Sequence, residues 1–197
     1  MILMELKYGK ILVKIARTAI EHHVKGMGYY PEDYPSMFAD DGGVFTTLHT
    51  YPGNGLRGCI GYPEPVMPLI EALLESAKAV TEDPRFPPLA EGELEKVTVE
   101  VSVLTPPKII DVRKSEDYLK KVRIGRDGLM IEKGPFRGLL LPQVPVELKW
   151  DAREFLDNLS MKAGMPPESW KEHGVRIHSF RSEIFREAKP GGKIRKA

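Results

Sequence analysis

The chain has 197 residues, of which 42% are hydrophobic and 29% charged, as is typical of one globular domain and not of a disordered chain. Its 29 basic and 28 acidic residues leave a net charge of +1, which excludes a general electrostatic attraction to nucleic acid or anionic lipid. One cysteine excludes an internal disulfide and any zinc site that needs two thiolates from one chain.

No apolar run reaches the ~18 residues that a membrane-spanning helix needs. The apolar start is interrupted at Glu5, too early for a signal peptide. We therefore expect a soluble cytoplasmic protein with neither a membrane nor a nucleic-acid partner.

The first elements are a helix and a β-hairpin. Apolar residues recur every three or four positions over 5–25 and predict an amphipathic helix that ends at Gly26 and Gly28. Two strand-like runs, Val44–His49 and Leu56–Ile60, flank a loop of turn-forming residues and predict a hairpin.

A second helix is predicted from Pro65 to Thr81 and stops before Asp83–Pro88, because proline disfavours the helical conformation of the residue before it. The segment Lys96–Leu104 alternates valines with polar residues. This alternation is typical of a strand with one buried face.

The segment 106–145 is rich in hairpin signals and predicts a smaller lobe within a single domain that spans 1–197. It holds a short helix at Ser115–Lys121 and strand-like runs around Leu129–Glu132 and Arg137–Leu141. A third helix is expected from Val146 to Ala163, closed by a glycine.

The last regular element is predicted as one strand over Val175–Ile184, followed by a frayed basic tail from Pro190. Helices interspersed with hairpin-joined strands, without a regular βαβ order, indicate an α+β fold with a mainly antiparallel sheet flanked by helices.

The only cysteine lies in the hexapeptide Leu56-Arg57-Gly58-Cys59-Ile60-Gly61. Alternate residues of a strand share a face, so Arg57 and Cys59 are expected to project together, about 7 Å apart. At that distance a guanidinium stabilises a thiolate by about 0.6 kcal/mol in water and about 2.4 kcal/mol at an effective dielectric of 20. Cys59 is therefore either a nucleophile activated by Arg57 or a small packed residue, and burial decides between them.

The glycines of the hexapeptide extend this hypothesis. Gly58 marks close approach by a ligand or by another backbone, and Gly61 permits a turn with positive φ. A second Arg-Gly pair begins at Arg137. The two arginines either bind one anion together or are surface residues of two hairpins.

Arg85 and Glu100 are two further candidates. Arg85 lies in a proline-rich segment that either holds it in a fixed place or only ends a helix. Glu100, on the polar side of its strand, either faces solvent, pairs with Arg57 or acts as a general base.

The histidines do not predict a metal site. A hairpin register centred on Pro52-Gly53 places Thr46 opposite Cys59 and His49 opposite Leu56, which disfavours a Cys–His dyad. No nucleotide-binding or metalloprotease motif is present. We therefore predict no metal and no cofactor.

Several blocks together resemble the AMMECR domain family, named for a human chromosomal-region product linked to midface hypoplasia and elliptocytosis. They are the segment 43–48 (GVFTTL), the hexapeptide, the segments 83–89 (DPRFPPL), 100–104 (EVSVL) and 138–144 (GLLLPQV), and the Trp150–Gly164 segment. The resemblance implies an α+β fold with a larger lobe that holds both termini and a smaller lobe. It also marks the hexapeptide as the suspected functional feature and adds Gln143 as a candidate contact.

Microbial relatives are encoded beside, or fused to, extradiol-dioxygenase-like proteins and radical-SAM enzymes, so such an enzyme is the partner that the resemblance suggests.

Two functional hypotheses therefore stay open, and whether either of them includes catalysis is left open too. In the first, an anionic or carbonyl-bearing small molecule binds at the hexapeptide, with Cys59 as nucleophile and Glu100 as acid or base. Its predicted ligand contacts are Arg57, Gly58, Gly61, Arg85, Arg137 and Gln143. In the second, the hairpin and the Tyr29–Tyr34 loop dock on a partner protein, with Arg57 as the central contact. We favour the first, because glycine, arginine and cysteine make a poor hydrophobic anchor.

Overall fold

The structure, a computed structural model, describes residues 4–197. The fold is α+β, as predicted, with two mainly antiparallel sheets and helices packed against them. The chain divides into two compact units, each described by itself: 4–104 with 183–197, and Thr105–Ser182. The second unit thus extends well beyond the 106–145 segment in which we expected a smaller lobe.

The larger unit contains two α-helices and five strands among its described residues. They are α1 (Leu6–Val24), β1 (Gly43–Thr50), β2 (Leu56–Tyr62), α2 (Leu69–Ala79), β3 (Val97–Leu104), β8 (Ser182–Glu187) and β9 (Ile194–Lys196). The strands form one sheet in the order β2-β1-β3-β8-β9.

The smaller unit is organised around a sheet in the order β4-β7-β5-β6. Its own core includes Phe155, Leu159 and Trp170, all at most 1% exposed. Its elements are β4 (Lys108–Ile109), α3 (Tyr118–Lys121), β5 (Gly128–Lys133), β6 (Phe136–Leu140), α4 (Val144–Glu147), α5 (Ala152–Lys162) and β7 (Arg176–Phe180).

One face of the five-stranded sheet packs against α1 and α2. Val44 and Leu48 of β1 and Val99 and Val101 of β3 are fully buried in that core. Each such side chain contributes about 1.5–3 kcal/mol by leaving water. Because strand side chains alternate between faces, the intervening residues of β1 and β3 belong to the opposite face.

A buried ion pair joins α1 to the sheet. Arg17 donates from Nε to Glu187 Oε1 (3.1 Å) and from its terminal nitrogens to the carbonyls of Leu94 (3.0 Å) and Val97 (2.8 Å). Glu187 Oε2 also accepts the Val99 backbone N–H at 3.0 Å. All of these groups are paired, so the cluster has a structural explanation.

The hairpin register differs from the one we assumed by one residue at the cysteine. Thr47, and not Thr46, is the Cα partner of Cys59, whereas His49 lies opposite Leu56 as expected. The register shifts between Leu48 and His49, which leaves Arg57 without a partner, as at a β-bulge. A slip of one residue moves a side chain to the other face, so the bulge decides what shares a face with Cys59.

Two predicted helices have different bounds. The helix expected over Pro65–Thr81 begins at Leu69 as α2 and continues from Val80 to Glu82 as a 3₁₀ turn. The helix expected over Val146–Ala163 is two helices, α4 and α5. Lys149 interrupts it with φ of +56°, and the Asp151 side chain then caps α5 by accepting two backbone N–H groups.

Two predictions for the C-terminal part are wrong. The run Val175–Ile184 is not one strand, because β7 and β8 belong to different sheets. The tail is not frayed: Ile194–Lys196 forms β9, pairs with β8, and buries Ile194 to 7% exposure. The pairing and this buried side chain outweigh the loss of chain entropy.

Candidate functional site

The face of the five-stranded sheet that points away from α1 and α2 carries a row of polar side chains. Thr47 is the Cα partner of Cys59 on β2 and of Glu100 on β3, so the three lie side by side across the sheet. His49 follows two residues along β1 on the same face. We call Thr47, His49, Cys59, Glu100 and Arg186, which contacts Glu100, the polar face.

Cys59 is half-buried, and its thiol accepts a hydrogen bond from Thr47 Oγ1 at 3.2 Å. Burial raises the pKa of the thiol. The Thr47 hydrogen bond and the Arg85 charge lower this pKa, and the charges of Glu100 and Asp83 raise it further. The balance is a raised pKa, so the group is a neutral thiol at pH 7. The structure thus does not favour an activated thiolate.

Asp83 and Arg85 are built into the edge of this face. Asp83 is 1% exposed and accepts the Cys59 backbone N–H at 2.8 Å, together with the Arg85 backbone N–H, Nε and Nη2 at 2.7–3.0 Å. The Arg85 guanidinium therefore holds the pKa of the Asp83 carboxyl well below its usual range. We expected the proline-rich segment either to position Arg85 or to end a helix. It does both, because it directly follows the 3₁₀ turn and also anchors the arginine.

Arg85 presents a fixed positive charge beside the cysteine. Its Nη2 donates to the Cys59 carbonyl at 3.2 Å, and its pairing with Asp83 raises the pKa of the guanidinium. The side chain is nevertheless 55% exposed, so one edge of the guanidinium faces outward. A cation that is anchored on one edge and exposed on the other can bind an anion with little loss of side-chain entropy.

Arg57 does not occupy the position that we predicted. It is 9% exposed and makes a bidentate pair with Glu93 through Nε (2.9 Å) and Nη2 (3.0 Å), and Nη2 also reaches the Pro87 carbonyl at 3.0 Å. The bulge at Arg57 explains the difference, because it breaks the simple alternation with Cys59. The arginine that influences the thiol is therefore Arg85.

Glu100 is near two basic side chains, and neither of them is the expected Arg57. Its Oε2 lies 3.8 Å from Arg186 Nη1 and 3.8 Å from His49 Nε2. Glu100 is also largely buried, with a side chain 14% exposed, so the solvent-facing alternative does not hold.

His49 lies opposite Leu56, the register that disfavours a Cys–His dyad, but its ring is near Glu100, a contact that the sequence did not suggest. Both of its ring nitrogens are buried, and neither has a hydrogen-bond partner among the described residues. An unpaired buried nitrogen costs about 1–3 kcal/mol, so the arrangement has an energetic cost that packing alone does not explain. The β1–β3 register pairs Thr47 with Glu100 and His49 with Thr98, so His49 and Glu100 are diagonal neighbours, and the sequence does not show that these two strands pair.

The glycines of the hexapeptide have packing explanations. A Cβ at Gly58 would lie 2.8 Å from the Val80 carbonyl oxygen, so the close approach inferred there is made by another backbone. A Cβ at Gly61 would lie 2.3 Å from the Phe45 ring. Gly61 is inside β2 and not at a turn, so that expectation is corrected. Their predicted ligand contacts stay predictions.

Arg137 and Gln143 belong to the smaller unit. Arg137 lies on β6, with Nη2 3.8 Å from Glu132 Oε2, and Gln143 is the residue before α4. The predicted binding of one anion by Arg57 and Arg137 together, and the predicted ligand contact of Gln143, stay predictions. Within residues 4–197, no group of three or more His, Cys, Asp or Glu side chains is arranged to hold a metal ion, and none of the helices could span a bilayer.

Known proteins are similar to this chain in both architecture and sequence. The AMMECR1 family model matches residues 13–185. A protein of Methanococcus aeolicus is 54% identical over 94% of both chains, and protein MJ0810 of Methanocaldococcus jannaschii is 52% identical over 98% of this chain and 96% of its own. The crystal structure of uncharacterized protein PH0010 from Pyrococcus horikoshii superposes with a TM-score of 0.85 at 45% identity, covering 97% of each chain.

These similarities extend over nearly the whole chain, including both units and the hexapeptide strand. The fold therefore assigns the chain to a class of two-unit α+β proteins with a polar face on one sheet. The chain belongs to the AMMECR1 family.

Proposed function

We propose that the protein binds a small molecule carrying an anionic or carbonyl group at the polar face, with Arg85 as the group that recognises it. The observation that carries the proposal is the anchoring of Arg85. A buried carboxylate fixes one edge of the guanidinium, and the other edge is exposed beside Cys59. In this proposal Cys59 lines the site as a neutral thiol.

Charge on the described residues supports an anionic ligand. The negative charge of Asp83 is neutralised by its ion pair with Arg85. Glu100 lies between Arg186 and His49. An incoming carboxylate or phosphate would therefore meet an arginine with a free edge. Such a charge-assisted hydrogen bond is about twice as strong as a neutral one.

The single cysteine provides a direct test, since every alkylation event reports on this site. We would compare the rates at which anionic iodoacetate and neutral iodoacetamide react with Cys59 at one pH. The ratio of the two rates removes the thiolate fraction, which is common to both reagents, and isolates the recruitment of the anion.

We expect Arg85→Gln to lower the iodoacetate-to-iodoacetamide ratio about fivefold to tenfold, as a unit charge near 5 Å between the limits of water and protein dielectric predicts. Lys10→Gln is the matched control, because it removes the same charge from an exposed position on α1. This helix packs on the opposite face of the sheet.

An equal ratio in wild type, Arg85→Gln and Lys10→Gln would contradict the proposal. In that case the docking of a partner protein through the hexapeptide hairpin would become the better hypothesis. A ratio that falls equally in both variants would report only net charge and would also contradict it.

A further inference from the structure

The polar face holds one group that the proposed anion site does not use. His49 is on β1, next to the strand that carries Cys59, and both of its ring nitrogens are buried without a hydrogen-bond partner among residues 4–197. Its Nε2 is directed toward Glu100, at 3.8 Å, which is beyond hydrogen-bond distance.

We infer that His49 is a second contact for the ligand that Arg85 binds, and that Glu100 is the residue that positions its ring. This inference rests on the proposed function and deepens it. The ligand class is then a small organic acid with two features: an anionic group for Arg85 and, a few bonds away, an O–H or N–H group for the imidazole.

The register of β1 and β2 sets the separation of His49 from Cys59, the residue beside Arg85. Thr47 is directly opposite Cys59, and His49 is two residues farther along β1, so His49 and Cys59 are diagonal neighbours. Such neighbours have Cα atoms about 7–8 Å apart on one face of an antiparallel pair. Arg85 lies at the far side of Cys59, so a ligand that reaches both Arg85 and His49 needs a chain of several carbon atoms, which a bare inorganic anion lacks.

The groups that face His49 are consistent with this role. Glu100 comes from β3, and Arg186 of β8 lies 3.8 Å from the same carboxylate oxygen. Across β2 lie the Cys59 thiol and, at its far side, Arg85. With Nε2 directed at Glu100, Nδ1 is the other unpaired nitrogen, and a ligand reaches it only after the atoms that cover it move. Apo sites commonly show such long contacts, which shorten when the ligand binds.

The test uses the cysteine as a tether and needs no substitution in the site. Reaction of Cys59 with iodoacetate leaves a carboxymethyl group at the polar face, and iodoacetamide leaves a neutral carboxamidomethyl group of almost the same size. The ring ¹⁵N and ¹H chemical shifts of each histidine are then measured by NMR in the two modified proteins at one pH. His22, which contacts the Thr18 carbonyl on α1, is the internal control.

We expect the ring ¹⁵N and ¹H shifts of His49 to differ between the carboxymethyl and the carboxamidomethyl protein, because the two groups differ in charge, with those of His22 unchanged. Equal values for His49 would overturn the inference, because the imidazole would then not sense an anion at Cys59. This outcome is independent of the reagent preference that tests Arg85, so the two proposals fail separately.

Glu100→Gln tests the positioning role in the unmodified protein. We expect the ring ¹⁵N shifts of His49 to change, because the carboxylate that its Nε2 faces loses its charge. The resonance is assigned with His49→Gln, or through backbone connectivity if that variant does not fold. Unchanged ring ¹⁵N shifts of His49 in Glu100→Gln would overturn the role assigned to Glu100.

Discussion

Asp83 holds Cys59 through its backbone: the Cys59 N–H donates to Asp83 Oδ2 at 2.8 Å, although the two residues are 24 positions apart. The same carboxylate anchors Arg85, whose Nη2 returns to the Cys59 carbonyl. These hydrogen bonds therefore hold the hexapeptide strand and the proline-rich segment together. This connection explains how a segment without regular structure can place a cation beside the thiol.

Asp83→Asn should destabilise the protein by about 2–4 kcal/mol, because a buried carboxylate that accepts several hydrogen bonds is replaced by an amide. The pKa of Asp83 is depressed in the folded state, so its contribution to stability is present above the unfolded value near 3.9 and is lost on further acidification. Urea unfolding of both proteins at several pH values measures this. The difference in unfolding free energy should shrink below about pH 4, and a pH-independent difference would contradict the assignment.

Two neighbours on the polar face, Thr47 and Glu100, should shift the pKa of Cys59 in opposite directions. Thr47→Val removes the hydrogen bond to the thiol and should raise its pKa, whereas Glu100→Gln removes a negative charge and should lower it. We expect shifts of about 0.3–1 unit each. The pH dependence of iodoacetamide alkylation measures them, and shifts of the same sign would show that the row is not arranged as described.

Arg57 should have a structural role, whereas we propose Arg85 as the contact for the anion. Arg57→Lys keeps the charge but loses the bidentate pair with Glu93, and should lower the unfolding free energy by about 1–2 kcal/mol. The pKa of Cys59 and the iodoacetate preference should stay unchanged. A lower preference in a folded Arg57→Lys protein would instead place Arg57 in the anion site.

The glycines of β2 should tolerate no side chain. Gly61→Ala places a Cβ 2.3 Å from the Phe45 ring and should cost about 1–3 kcal/mol through overpacking. Gly28→Ala is the control, since nothing lies within 4 Å of its Cβ and its φ is not positive, so a change within about 0.5 kcal/mol is expected. Thermal unfolding of the two variants measures the contrast, and equal melting temperatures would argue against the packing explanation.

Much of the fold could be predicted because local chemistry determines it. The apolar spacing of 5–25 and the alternation of Lys96–Leu104 correspond to α1 and β3. Where a local signal was weak, the prediction failed. The positive φ of Lys149 divides a predicted helix, and a basic tail is ordered because β8 offers it a hydrogen-bonding edge.

The sequence by itself determined the fold class and located the hexapeptide with its single cysteine, because these depend on periodicity and residue type along the chain. Tertiary structure alone decided which side chains meet. The bulge at Arg57 shifted the register by one residue and so placed Thr47 beside Cys59. It also breaks the simple alternation of Arg57 with Cys59, whose neighbouring cation is Arg85. His49 lies near Glu100 because β1 pairs with β3 in an unbroken register. A bulge is set by the balance of packing on both faces of a sheet, and that balance is a property of the whole fold, not of the hairpin sequence.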